Sequence, residues 1–131
     1  MGLLLNNELD IIFDRYGAVR LRILTNNRII TWGGQHVGIL KSTALFNYKG
    51  VHVGWYENGI LRDKNGSVVG FGDNPTDSPT PYLPYRQYLP YRGYIQHYPY
   101  LPYFGYTGYK PYKSFSWSGL DPVGLFIGDK S

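Results

Sequence analysis

Four glycines, Gly17, Gly34, Gly50 and Gly66, stand 17, 16 and 16 residues apart in a chain of 131. No other feature narrows the possible folds as much. Three positions before each glycine stands Asp14, Thr31, Asn47 or Asp63. Their side-chain oxygens can bond backbone amides a few residues on and so start a turn. A turn former with glycine at the fourth position suits a type I turn whose glycine takes the left-handed conformation of a G1 bulge, a common way to close a hairpin. Each unit therefore reads as a β-hairpin. Ile12, Ile29, Leu45 and Leu61 recur five positions before the glycines, and Gly38, Gly54 and Gly70 four positions after the last three.

Side chains alternate faces along a strand. The alternation predicts one face with Val37 and Ile39, Val53 and Trp55, Val69 and Phe71, and an opposite face with the glycines. Glycine on that side suggests strands that are bent or closely approached. In the first unit Arg20 and Arg22 fall at the apolar offsets, so its strand is expected to slip by one residue, turning Val19, Leu21 and Ile23 inward. No stretch has a sustained helical period with caps, and almost no helix is expected. Four hairpins cannot each bury a face alone. Set around an axis they share one core and pair their edges. The fold class expected is all-β, a shallow pseudo-four-fold barrel of four β-hairpin repeats.

The stretch "YKGVHVGWYENGILRDKNGSVVGF", residues 48–71, resembles the signature of the bacterial four-fold β-flower domains, barrels of hairpin petals. Its most specific parts are "GWYENG" and "RDKNGSVVGF", and it extends over roughly residues 10–72. The resemblance implies a fold, brings no established activity and carries over no functional residue. β-Flowers are loosely similar to tubby-like barrels, some of which bind phosphoinositides and which wrap a central apolar helix. The closing "GLDPVGLFIG" is broken by Gly119, Pro122, Gly124 and Gly128 and is not expected to supply one.

At this length the chain reads as one domain, residues 1–131: hairpin repeats over 10–72, a Tyr/Pro-rich insertion over 73–113 and a closing segment over 114–131 expected to end in a short strand. The segment from Tyr82 to Lys113 holds 11 of the 14 tyrosines. Its prolines favour an extended or polyproline-like backbone. It carries four cations and no acid, whereas residues 1–81 balance eight Lys/Arg against seven Asp/Glu, so the net charge of +4 resides there.

Two readings of this segment are open. It is a low-complexity loop, mobile or draped over the barrel mouth, with tyrosines plugging a small cavity if it covers that mouth. Alternatively it is a recognition surface, since tyrosine offers contact area at low entropic cost. The candidate binding residues are Trp32, Tyr85, Arg86, Tyr91, Arg92 and Tyr103. Trp32, at a turn tip, either contacts a partner or tucks under the segment; Trp55 is expected in the core. A protein or a small apolar ligand is the partner expected, with nucleic acid disfavoured by so few charges.

Catalysis has no constellation of its own. Asp14 and Asp63 are better read as turn initiators than as an acid–base pair. His36 and His52 share a repeat position and suggest a two-histidine metal site, the basis of a metal-dependent enzyme as an alternative function, but no third ligand is indicated. Another alternative is an anionic-lipid or phosphoinositide reader using Arg86, Arg92, Lys110 and Lys113. No cofactor or metal is expected. The chain has no cysteine, and its opening "MGLLLNNELD" lacks the length of a signal or spanning segment, so a cytoplasmic location is the default.

Overall fold

The computed structural model describes residues 3–127. Eight antiparallel strands close into a barrel in chain order. They are β1 (Glu8–Phe13), β2 (Val19–Leu24), β3 (Arg28–Thr31), β4 (His36–Lys41), β5 (Ala44–Asn47), β6 (His52–Glu57), β7 (Ile60–Asp63) and β8 (Val68–Phe71). Each petal turns as expected. The amides of Gly17, Gly34, Gly50 and Gly66 donate to the carbonyls of Asp14, Thr31, Asn47 and Asp63 at 2.9–3.1 Å, and all four glycines have positive φ. Asp14 and Asp63 are turn initiators here: each Oδ1 accepts two amides of its own turn, at 2.9 and 3.0 Å.

A bulge repeats in every petal and corrects the expected alternation. Ile29 pairs with Gly38 but Ile30 pairs with His36, which leaves Val37 as the extra residue; Val53 and Val69 are skipped in the same way. A bulge lets two successive side chains lean to one side. Val37, Val53 and Val69 therefore pack in the lumen beside Gly38, Gly54 and Gly70, while Trp55 and Phe71 lie on the outside. The first petal is not slipped. Ile12 pairs with Leu21 and Phe13 with Val19, so Arg20 occupies the bulge. Leu21 and Ile23 face the lumen as expected, but Val19 belongs to the outer cluster.

The lumen is filled by side chains from all eight strands, including Ile12, Leu21, Ile29, Leu40, Leu45 and Leu61, together with Leu125 and Phe126. These last two belong to a short helix, α1 (Pro122–Ile127), where a closing strand was expected. Pro122 and Gly124 read in the sequence as breakers, yet proline is favoured at the first helical position. Asp121 caps the helix by accepting the Gly124 amide at 2.8 Å. Arg20 in turn bonds Asp121 at 2.8 Å, so the departure of the first petal anchors the helix start. The repeated glycines make room for it. A side chain on Gly38 would strike the Phe126 ring at 2.5 Å, and one on Gly70 would crowd Pro122 at 3.1 Å. Strand-like pairing in the closing segment is limited to one bridge between Trp117 and Val68; residues 128–131 lie outside the described residues. Among the described residues no helix is long and apolar enough to cross a membrane.

Candidate binding surface

The Tyr/Pro segment does not cover the mouth, which α1 fills, and its tyrosines plug no cavity there. It is a belt around the outside of the barrel, without strand or helix between Asp73 and Lys113, and its repeat matches the petals one for one. The carbonyls of Tyr85, Tyr94, Tyr103 and Tyr112, nine residues apart, lie where side chains on Gly17, Gly34, Gly50 and Gly66 would stand. Two residues on, the amides of Gln87, Gln96, Gly105 and Ser114 donate to the carbonyls of those same glycines at 2.8–3.1 Å. Four nonapeptides thus dock on four petals through one repeated backbone contact.

Within each nonapeptide an aromatic ring recurs every third residue, interrupted by His97 and ending on Phe115. That is the period of a polyproline helix, which presents every third side chain on one edge. Ten tyrosines on this edge, Tyr82, Tyr85, Tyr88, Tyr91, Tyr94, Tyr100, Tyr103, Tyr106, Tyr109 and Tyr112, are 87–101 % exposed. Some of the residues between them pack on the barrel. Leu83 and Leu89 complete the outer cluster of Ile11, Phe13, Val19, Trp32, Ile60, Val68 and Phe71. Phe104 packs on Phe46 with centroids 5.0 Å apart.

The belt cations are bound to the barrel. Arg86 lies over the rings of Phe13 and Phe71, at 5.4 and 5.6 Å, and donates to the carbonyls of Gly72 and Asp73. Phe13 and Phe71 are the one residue pair joining β1 to β8, so Arg86 clamps the seam of the barrel. Arg92 lies over Trp32 at 4.6 Å and bonds both carboxylate oxygens of Glu8, which also accepts Arg22 at 2.6 Å. Lys110 pairs with Glu57 at 2.7 Å, and Lys113 with Glu57 at 3.3 Å and with Asp77 of the belt itself at 2.7 Å. Such paired charges are poor counter-ions for a phosphate headgroup or a nucleic acid, because each would first have to leave its carboxylate or carbonyl.

These pairs move the titration of the carboxylates. Burial alone would raise Glu8, but hydrogen bonds from Arg92, the Leu5 amide and Arg22 outweigh it and hold Glu8 below its ordinary value. Asp77 is lowered likewise, with burial outweighed by Lys113 and Arg62, and the Lys110 hydrogen bond lowers Glu57. Asp10, in the barrel itself, moves the other way because burial dominates its hydrogen bond from Tyr56.

Of the candidate residues, Tyr85, Tyr91 and Tyr103 stand on the exposed edge, whereas Arg86 and Arg92 are anchors. Trp32 tucks under the belt: it is 9 % exposed and its indole N–H donates to the Pro90 carbonyl at 3.1 Å. His36 and His52 do not form a joint site. His36 Nε2 bonds the Gln96 carbonyl at 2.9 Å, and His52 packs between Phe46 and Trp55. Among the described residues no three His, Asp or Glu side chains are grouped to hold a metal. The nine-residue phase went unseen because Gly93 and Gly108 replace prolines, and because the "LPY" at 89–91 is out of step with those at 83–85 and 101–103. The tyrosine at every third position was the signal that could have found it.

No curated protein and no solved structure matches the chain. A family model does, over residues 10–125, a span that takes in the petals, the belt and the start of α1. The chain belongs to the family described as 4-fold beta flower protein.

Proposed function

We propose that this protein is a binding module without chemistry of its own, and that its working surface is the exposed tyrosine edge of the belt. The observation that carries this is the division of labour within the belt: ten phenol rings stand almost fully in solvent, while Leu83, Arg86, Leu89, Arg92 and Phe104 between them do the docking. Exposed aromatic surface on this scale is rare on a soluble monomer and marks interaction sites. The rings are held on a backbone fixed to every petal, so little conformational freedom is lost when they are covered. The partner expected is a protein, since tyrosine supplies apolar contact and a hydrogen-bonding tip in one side chain, and the basic charge of the belt is already engaged.

The test replaces Tyr82, Tyr85, Tyr91 and Tyr94 by serine in one variant. Its melting curve should match that of the parent, while the protein that co-purifies with the parent from the native host should be lost. Equal capture by the variant and the parent would refute the assignment.

A further inference from the structure

An open cleft lies between the belt and the turns of the third and fourth petals. Twelve lysines and arginines fall among the described residues. Ten have an ion pair, a hydrogen bond or an aromatic ring as partner for the charge. The remaining two, Lys49 and Lys64, sit on the turns of the third and fourth petals and line the same open cleft of about 380 Å³, with His52, Tyr103 and Tyr106.

His52 adds a buried ring to the lining of the cleft. Its imidazole is 3 % exposed, and Nδ1 accepts the Gly108 amide at 3.4 Å, which leaves the proton on Nε2. That Nε2 is buried and has no protein partner. The equivalent histidine on the second petal differs. His36 Nε2 has the Gln96 carbonyl as its partner, whereas Gly105, nine residues on from Gln96, offers His52 none. Burial holds the His52 pKa below its ordinary value, against a backbone hydrogen bond at Gly54 that raises it and with the charge of Lys64 adding to the lowering, so the ring stays neutral at pH 7. A buried donor without an acceptor is costly, and two uncompensated cations beside it specify what should fill the gap.

We propose that the cleft of Lys49, Lys64 and His52 binds a dianionic phosphoryl group, with His52 Nε2–H donating to one oxygen, the two ammonium groups neutralising the charge, and Tyr103 and Tyr106 forming the rim. Two lysines suit a doubly charged tetrahedral anion better than a single carboxylate. The site shares Tyr103 and Tyr106 with the tyrosine edge, but its charged and donor groups, Lys49, Lys64 and His52, lie off that edge, so either assignment can fail without the other.

The experiment follows the His52 ring in 15N–1H spectra during titration with inorganic phosphate, phenyl phosphate and, separately, phosphatidylcholine vesicles carrying phosphatidate. Saturable movement of the Nε2 signal is expected, and Lys49→Gln with Lys64→Gln should weaken binding at least about tenfold, while Lys41→Gln leaves it unchanged. Both lysines stand on exposed turns, so the double variant should fold. Response to the soluble phosphates identifies a free ligand; response to the vesicles alone identifies a lipid headgroup. No response in any arm, or equal affinity in the double variant, overturns the assignment.

Discussion

The petals and the belt are both four-fold repeats, yet they are held in different ways. A petal is fixed by a ladder of backbone hydrogen bonds and a lumen packed from every strand. The belt has no ladder. Each nonapeptide makes one repeated backbone contact to a glycine carbonyl, and side chains add the rest: Arg92 on Glu8, Lys110 and Lys113 on Glu57, and Asp77 on Arg62. The barrel is thus secured mainly by apolar burial, which is indifferent to pH, whereas the belt depends on ionised carboxylates. Regions with few hydrogen bonds and little buried surface open first.

Acid should separate the two most strongly. Glu8, Glu57 and Asp77 have depressed pKa values in the folded protein. Their contribution is complete above the ordinary carboxylate value and is lost as pH falls through the depressed one. His52 acts in the same direction. Its lowered value means that protonation below about 6.5 favours the undocked chain. Asp10 has a raised value, so acid relieves the barrel of a buried charge. Between neutral pH and pH 3 the amide signals of Gln87, Gln96, Gly105 and Ser114 should therefore collapse before those of β5 and β6. A single midpoint for both sets would show that belt and barrel are one cooperative unit.

Much of the barrel was legible because its turns make stereochemical demands. Only a residue at ease with positive φ suits Gly17, Gly34, Gly50 and Gly66, so the period is written in one residue type. The bulges were not legible. A skipped residue leaves Val37, Val53 and Val69 looking like ordinary members of an alternating strand, and only pairing across the ladder reveals the extra position. The helix was missed because Pro122 and Gly124 were weighed as breakers, while Asp121 followed by proline is a start signal. The candidate surface was half visible. Tyrosine content marked the segment, but the roles of Arg86 and Arg92 depend on partners about 60 to 85 residues away in sequence, at Phe13, Trp32 and Glu8, which no local pattern encodes.

Next in size is the ion pair that joins the two regions. Glu8 and Arg22 are buried side chains at 4 % exposure or less, with Arg92 arriving from the belt. Glu8→Ala leaves Arg22 buried without a counter-charge, and loss of one partner of such a pair costs about 3–5 kcal/mol. Chemical denaturation should report it. Glu8→Gln, which keeps an acceptor oxygen, should fall between parent and alanine variant. A loss below 1 kcal/mol for the alanine variant would mean that water reaches Arg22 and that the belt is not tied there by charge.

A smaller effect separates two adjacent glycines on the second petal. Gly34 has φ +100° and the Tyr94 carbonyl over it, whereas a side chain on Gly33 would meet only Thr31 Oγ1, at 3.7 Å. Gly34→Ala imposes a left-handed conformation costing about 1–2 kcal/mol and pushes away the belt, removing a hydrogen bond of about 1 kcal/mol. Gly33→Ala should be nearly silent in the same melting experiment. Equal losses would place the strain in the turn alone and detach it from belt docking.

The smallest effect tests the belt's own division between docking and display. Tyr91 is wholly exposed and Arg92, its neighbour, is an anchor. Tyr91→Ser removes a ring that touches no part of the barrel, and exposed substitutions of this kind stay within about 0.5 kcal/mol. Thermal melts of Tyr91→Ser and Arg92→Gln should therefore diverge although the two sites are adjacent in sequence, with only the second loosening Trp32. If Tyr91→Ser destabilised the protein as much, the aromatic edge would be part of the scaffold, and its rings would not be free to meet a partner.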